Sequence, residues 1–225
     1  MSLEIQVAET MKRDNLLLIG ALTQFSLFIP LTAWVLRHKR PLAGIAIIRL
    51  TQKKQPAIAR RLAQLLDICG CSSFAVDVLA PSVAYMLWKK QQKLEAIVIP
   101  ITCWSNDVVV KLIKKWVQRP RPASLLVRVT KPRVGSSYPS GDVASAVNFW
   151  GWLLILGLLS KDDHKIEKVM LLSIPALLVA ITGPLRVYMG DHRATDVLGG
   201  YLFGGGWLCL SLYGYRMWQK QIDRR

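Results

Sequence analysis

"LLLIGALTQFSLFIPLTAWVL", residues Leu16 to Leu36, runs for 21 residues without a charged side chain. A helix needs about 20 mostly apolar residues to cross the hydrocarbon core of a bilayer, so this stretch separates a membrane protein from a soluble one. Working outward, five further apolar runs follow at Ser72–Trp88, Ala96–Ile113, Val143–Leu159, Val169–Val187 and Val197–Tyr213. They lack the period-two alternation of half-buried strands. The expected fold class is all-α, an integral membrane bundle of six transmembrane helices. The first run reads as a retained anchor and not a signal peptide, because polar residues precede it and "TAWVLRHKR" offers no small-residue cleavage site.

The chain has 225 residues, 52% of them hydrophobic, with 30 Lys plus Arg against 14 Asp plus Glu and a formal net charge of +16. A basic excess of this size suits nucleic acid or an anionic membrane surface. No nucleic-acid motif accompanies the cations, and many flank the apolar runs, so the expected partners are the membrane and a phosphate-bearing lipid, with no nucleic acid. Between the first two runs, Ile58, Leu62, Leu65, Leu66 and Cys69 recur at helical spacing while Arg60, Arg61, Gln64 and Asp67 take other positions. That pattern predicts an interfacial amphipathic helix between spans 1 and 2. A core-packing helix with a solvated basic face fits it equally. With no internal repeat and no low-complexity linker, residues 1–225 read as a single membrane-embedded domain. The four cysteines contain no C-x-x-C pair that would suggest zinc, and they read as buried thiols.

The chemistry gathers in two connections, "KLIKKWVQRPRPASLLVRVTKPRVGSSYPSGD" after the third run and "GPLRVYMGDHRATDVLGG" after the fifth. Two crossings separate them, so both emerge on one membrane face and their polar residues are expected to meet. His192 and Asp196 are four apart and share a helical face if Asp196 lies in the first turns of the sixth span. A carboxylate on one imidazole nitrogen sets the tautomer and raises the basicity of the other, which then attacks. Arg186 offers a planar fork for phosphate oxygens. Lys114 and Arg121 precede "PSGD", where Ser140 supplies a hydroxyl and Gly141 a close-approach backbone position at a helix N-terminus that favours an anion.

Taken jointly, Lys114 with six residues before Arg121-Pro122, then Pro139-Ser140-Gly141, then Arg186 with five residues before His192 and three more before Asp196, resembles the type 2 phosphatidic acid phosphatase superfamily. That group also contains bacterial acid phosphatases and vanadium haloperoxidases. The register selects Lys114: Arg119-Pro120 has Leu112 at the lysine offset. The resemblance implies a lipid phosphatase that hydrolyses a phosphomonoester or diphosphate of a membrane lipid, such as phosphatidate, phosphatidylglycerophosphate or a polyprenyl diphosphate. In that reading Lys114, Arg121, Ser140, Gly141 and Arg186 bind the phosphoryl oxygens, and His192 is the nucleophile that forms a phosphohistidine. Asp196 orients it, and no metal or cofactor is implied, because cations supply the charge stabilisation. The alternative is a catalytically inactive relative that binds phospholipid headgroups.

Two positions depart from the family pattern. Leu185 stands where a serine commonly precedes the arginine, and Asp142 stands where a histidine commonly follows Ser-Gly. That histidine is the family's general acid, and removing a positioned acid costs roughly 10²–10⁴-fold. Three readings of Asp142 stand open: a protonated carboxylic acid in the catalytic set with His192 and Asp196, an inactivating substitution, or a sign that the substrate is a diphosphate, whose leaving group is itself a phosphate. His38, in "RHKR", and His164, in "KDDHK", read as solvated loop residues. Lys and Arg are nearly balanced between the two faces, and the family habit places the site on the extracytoplasmic side of the cell membrane.

Overall fold

The computed structural model describes residues 3–53, 56–130, 133–159 and 165–224. Eight α-helices account for most of them: α1 (Leu3–Arg37), α2 (Leu42–Thr51), α3 (Ala57–Leu66), α4 (Ser73–Lys89), α5 (Lys93–Val117), α6 (Gly141–Leu159), α7 (Lys165–Tyr188) and α8 (Ala194–Asp223). No strand occurs among the described residues, in keeping with a bundle whose backbone must satisfy its hydrogen bonds within each segment.

Five helices are long and apolar enough to cross a membrane: α1 from Asp14, α5, α6, α7 from Lys168, and α8. The second expected run behaves differently. Helix α4 has 17 residues and joins α3 through a π-helical turn, Asp67–Cys71, at a bend of 40°, so the pair forms a sixth span only if it crosses as one broken element. The break has a local cause. Gly70 carries non-helical backbone angles, and Ser72 starts α4 afresh by accepting the Ala75 amide on its hydroxyl. A Cβ at Gly70 would lie 2.7 Å from the Trp150 ring, whose indole nitrogen donates to the Gly70 carbonyl at 2.9 Å.

Helix α3 is present where the spacing placed it, with Ile58, Leu62, Leu65 and Leu66 exposed and Ala63 its buried residue. The short apolar helix α2, which the sequence reading left unassigned, lies against α7 and α8 through its buried Ile45 and Ile48. Of the cysteines, Cys71 and Cys103 are buried and Cys209 is half-buried, but Cys69 is exposed, because the π-helical turn directs it away from the bundle.

Helix α6 is the axis. Its first twelve residues are buried, and it packs on α4, α5, α7 and α8, as a helix apolar on all sides must. Helix α8 approaches it closely because Gly200 and Gly204 face it: a Cβ there would meet the Ser140 or Ala144 carbonyl oxygen at 2.8 Å. This contact sets the N-terminus of α6 beside that of α8. The C-termini of α5 and α7 end at the same level of the bundle, so four helix ends and two loops converge. At the far end, Asp14 pairs with Arg216 at 2.6 Å and with Lys220, tying α1 to α8.

Candidate active site

The long loop from Gln118 to Ser140 returns to its starting point through Arg119. The Arg119 amide donates to Ser136 Oγ at 3.0 Å, and its carbonyl accepts the Ser137 amide at 2.8 Å. The side chain of Arg119 is fully buried. It donates to Asp196 Oδ1 at 2.5 Å, to Thr195 Oγ1 at 2.7 Å and to the Lys39 carbonyl at 3.2 Å. A fork with several donors at fixed angles locks the first turn of α8 against two loops. The sequence reading set Arg119 aside as the wrong register of the motif. The repeated "RPRP" was its visible signal, but the partner of its fork is a tertiary fact.

Asp196 also accepts the Arg193 amide at 2.9 Å as part of the α8 N-terminal cap. His192 Nδ1 lies 3.8 Å from Asp196 Oδ2, wider than a hydrogen bond. The expected His192–Asp196 pairing is therefore a close approach: Arg119 holds the carboxylate firmly, and the imidazole faces it beyond hydrogen-bond distance. Arg121 Nη1 donates to the Asp191 carbonyl at 3.1 Å and stands 3.3 Å from His192 Nε2. A guanidinium has no lone pair to offer, so this contact requires Nε2 as the acceptor and assigns the ring proton to Nδ1, facing Asp196. The two polar clusters, 71 positions apart in the chain at Arg121 and His192, thus meet.

Lys114 sits over the start of α6: a Cβ on Gly141 would be 3.2 Å from its ammonium nitrogen, so glycine lets the cation approach the helix terminus. Ser140 donates its amide to the Asp196 carbonyl at 2.9 Å, while its buried hydroxyl has no protein partner among the described residues. A cavity of about 520 Å³ opens here, lined by Lys111, Lys114, Lys115, Arg119 and Arg121. A smaller one of about 210 Å³ lies on the other side of Arg121, against Arg133, Gly190 and Asp191.

Asp142 and Arg186 stand apart from the expected arrangement. Arg186 does not present a free fork. It hydrogen-bonds Asp67 and the Cys71 carbonyl and lies 3.4 Å from both Asp142 Oδ2 and Asp191 Oδ2. Asp142 receives Arg133 at 2.6 Å, the Ser73 amide at 2.9 Å and the Ser73 hydroxyl at 3.0 Å. Each of these groups donates, which is the environment of an ionised carboxylate. Two guanidiniums, Arg133 and Arg186, are thereby enclosed by three carboxylates, Asp67, Asp142 and Asp191. The sequence reading had not singled out Asp67, Arg133 or Asp191 for this site, and no fixed spacing advertised them. They come from the π-helical turn, the long loop and the α7–α8 connection.

A family profile described as PAP2 superfamily matches residues 95–220, which hold all three motifs and all but the outer ends of helices α5 to α8. The chain belongs to the PAP2 superfamily. A curated relative, phosphatidylglycerophosphatase B of Bacillus subtilis (strain 168), is 28% identical over 139 residues, 60% of this chain and 64% of the relative. The aligned segment thus spans less than two thirds of that relative. Among solved structures, the fold is similar to the crystal structure of the first transmembrane PAP2 type phosphatidylglycerolphosphate phosphatase from Bacillus subtilis. The TM-score is 0.73 at 20% identity, covering 90% of this chain and 97% of that one.

Within the PAP2 framework, the missing serine at Leu185 is filled by packing, since Leu185 lies against the main apolar core. His38 is exposed, and its ring stacks on Trp34 at 4.9 Å; His164 lies outside the described residues. Burial pushes the His192 imidazole below the ordinary histidine range, and Arg121 and Lys114 add to the shift against the opposing pull of Asp196. A base with a lowered pKa stays neutral to a more acid pH, so His192 is expected to keep its Nδ1–H form below pH of about 6.5, the ordinary histidine midpoint. An imidazole NMR titration of the detergent-solubilised chain checks this, and a midpoint at or above the ordinary value refutes it. Arg119→Leu leaves Asp196 buried without its counter-ion and is expected to cost about 3–5 kcal/mol in unfolding stability. Denaturant unfolding measures it, and a loss below about 1 kcal/mol would show that the pair does not anchor α8.

Proposed function

We propose that this PAP2 protein is a lipid phosphatase that acts through a phosphohistidine at His192. The observation that carries the reading is the donation from Arg121 to His192 Nε2. It sets the imidazole lone pair against the Arg121 guanidinium and the ring proton toward Asp196. When a phosphate enters, Arg121 exchanges that contact for a phosphoryl oxygen, and Nε2 is left facing phosphorus. Lys114, Arg121, the Ser140 hydroxyl and the Gly141 amide hold the phosphoryl oxygens. Arg186 contributes positive charge from behind Asp142 and Asp191 instead of a free fork. Asp196, held by Arg119, stabilises the imidazolium character that develops as Nε2 attacks.

The substrate class is a membrane lipid bearing a phosphomonoester or diphosphate, in line with the activity for which the Bacillus relative is named. We assign residues 1–225 to one membrane-embedded domain, with α3 lying in the interface on its exposed leucines and the site on the extracytoplasmic side of the cell membrane. A second reading, a headgroup-binding relative without turnover, draws on one observation: Arg186 is already neutralised by the chain's own carboxylates. Inorganic phosphate release by the purified protein in detergent, on phosphatidate and on a polyprenyl diphosphate, separates the two. Release above the buffer rate on either lipid supports the phosphatase. Lipid binding with no release on both would leave only the binding relative.

A further inference from the structure

A PAP2 phosphatase with Asp142 at the usual histidine position lacks its expected proton donor, and the carboxylates around Arg133 and Arg186 offer another. We propose that Asp191 is the general acid of this site, held protonated in the resting protein and donating to the oxygen of the departing lipid. The proposal rests on the phosphatase reading above.

Charge balance comes first. Arg133 and Arg186 bring two positive charges into a largely buried cluster, while Asp67, Asp142 and Asp191 would bring three negative ones. Arg121 is the next cation, its Nη1 on the Asp191 backbone carbonyl and, among the described residues, in no ion pair with the three carboxylates; within the ion-paired cluster a carboxylate is therefore in excess, and the one with the poorest contacts keeps a proton. The contacts say which one. Asp142 is saturated by Arg133, the Ser73 amide and the Ser73 hydroxyl, all within 3.0 Å. Asp67 hydrogen-bonds directly to Arg186. Asp191 has the weakest claim: its Oδ2 is 3.4 Å from Arg186 and 3.5 Å from Arg133, and its buried Oδ1 has no partner among the described residues. The charged groups facing it are Arg121 and Arg133 from the long loop, Asp142 from α6, Arg186 from α7, Asp67 across the two guanidiniums, and the adjacent His192. Burial pushes the Asp191 carboxyl above its ordinary value in spite of Arg133, Arg186 and His192.

Position supports the role. Asp191 lines the cavity of about 210 Å³ together with Arg121 and Arg133, and its backbone carbonyl takes the same Arg121 nitrogen that reaches His192 Nε2. Its carboxyl shares both guanidiniums with Asp142, so it stands beside the place where the family histidine would be. In the first step the Nε2 lone pair forms a bond to phosphorus. The bond from phosphorus to the lipid oxygen breaks with its electron pair on oxygen, and the Asp191 proton moves there to release a neutral alcohol. In the second step water attacks the phosphohistidine, its proton passes to the Asp191 carboxylate, and the P–N bond breaks to give inorganic phosphate and the resting site.

The test compares leaving groups. A lipid alkoxide needs a proton as it departs, whereas p-nitrophenolate leaves without one. In single-turnover experiments that read only phosphoenzyme formation, Asp191→Asn is expected to lower the rate on a short-chain phosphatidate by about 10²–10⁴-fold, and on p-nitrophenyl phosphate by less than about threefold. Asp191→Glu is expected to recover part of the lipid rate. A second readout does not depend on turnover: the infrared carbonyl stretch of a protonated carboxylic acid, present in the starting protein and lost in Asp191→Asn. Parallel losses on both substrates, no loss on the lipid, or no such band would each overturn the assignment. Failure of the phosphatase reading looks different: the unaltered protein would hydrolyse neither substrate, and with no reaction to serve, the acid role would fall with it.

Discussion

His192→Gln is expected to lower phosphate release by at least about 10⁴-fold, the scale of removing a nucleophile from a group of residues that act as one unit. The side chain lies at the end of a short connection between α7 and α8, buried between Arg121, which reaches its Nε2, and Asp196, which faces its Nδ1 at 3.8 Å. Glutamine fills a similar volume and keeps a polar contact to Arg121, yet it has no nitrogen lone pair that can form a phosphoenzyme. Binding is expected to persist, because Lys114, Arg121 and the start of α6 are untouched. The check is twofold: phosphate release, and trapping of an acid-labile phosphoprotein from labelled substrate, which should disappear in the variant. A variant that still forms the labile adduct would remove His192 from the chemistry.

Asp142→Asn is expected to act through Asp191. Removing one negative charge from around Arg133 and Arg186 lets Asp191 give up its proton to restore the balance, so the charge met by an incoming anion is unchanged and orthovanadate affinity should stay within about threefold. With the acid lost, kcat on a lipid phosphomonoester should fall by about 10²–10⁴-fold. Asp142→His should recover the lipid rate, because an imidazole at that place can donate the proton that Asp191 no longer holds. Tighter vanadate binding with unchanged kcat would show that Asp142 excludes anions without tuning the acid. Activity seen only after histidine is introduced would establish the unaltered chain as a headgroup-binding relative. Equal rates in all three proteins would place Asp142 outside the chemistry.

Of the three sequence readings of Asp142, the contacts from Arg133 and from the Ser73 amide and hydroxyl speak against a protonated donor at that residue. They leave the question of the acid to its neighbours. Asp191 sits one residue before the proposed nucleophile, inside a motif that fixes only the spacing between Arg186 and His192, and so nothing in that spacing drew notice to it. Arg119 was hidden in a similar way: its two-residue offset from Arg121 made it look like a failed copy of the motif, when it is the residue that holds Asp196.

The amino-acid sequence by itself determined that this is an all-helical membrane protein, since repeated, mostly apolar runs near bilayer length leave few other solutions. It also determined where the candidate site residues lie along the chain, because the motifs depend on local spacing. Only the tertiary structure decided that the second span is broken at Gly70, and that Arg186 is already enclosed by Asp67, Asp142 and Asp191. It alone decided that Arg119 anchors Asp196. The reason is physical: an ion pair is set by which helix ends converge, and convergence here depends on Gly200 and Gly204 letting α8 close on α6, a contact between segments about 60 residues apart.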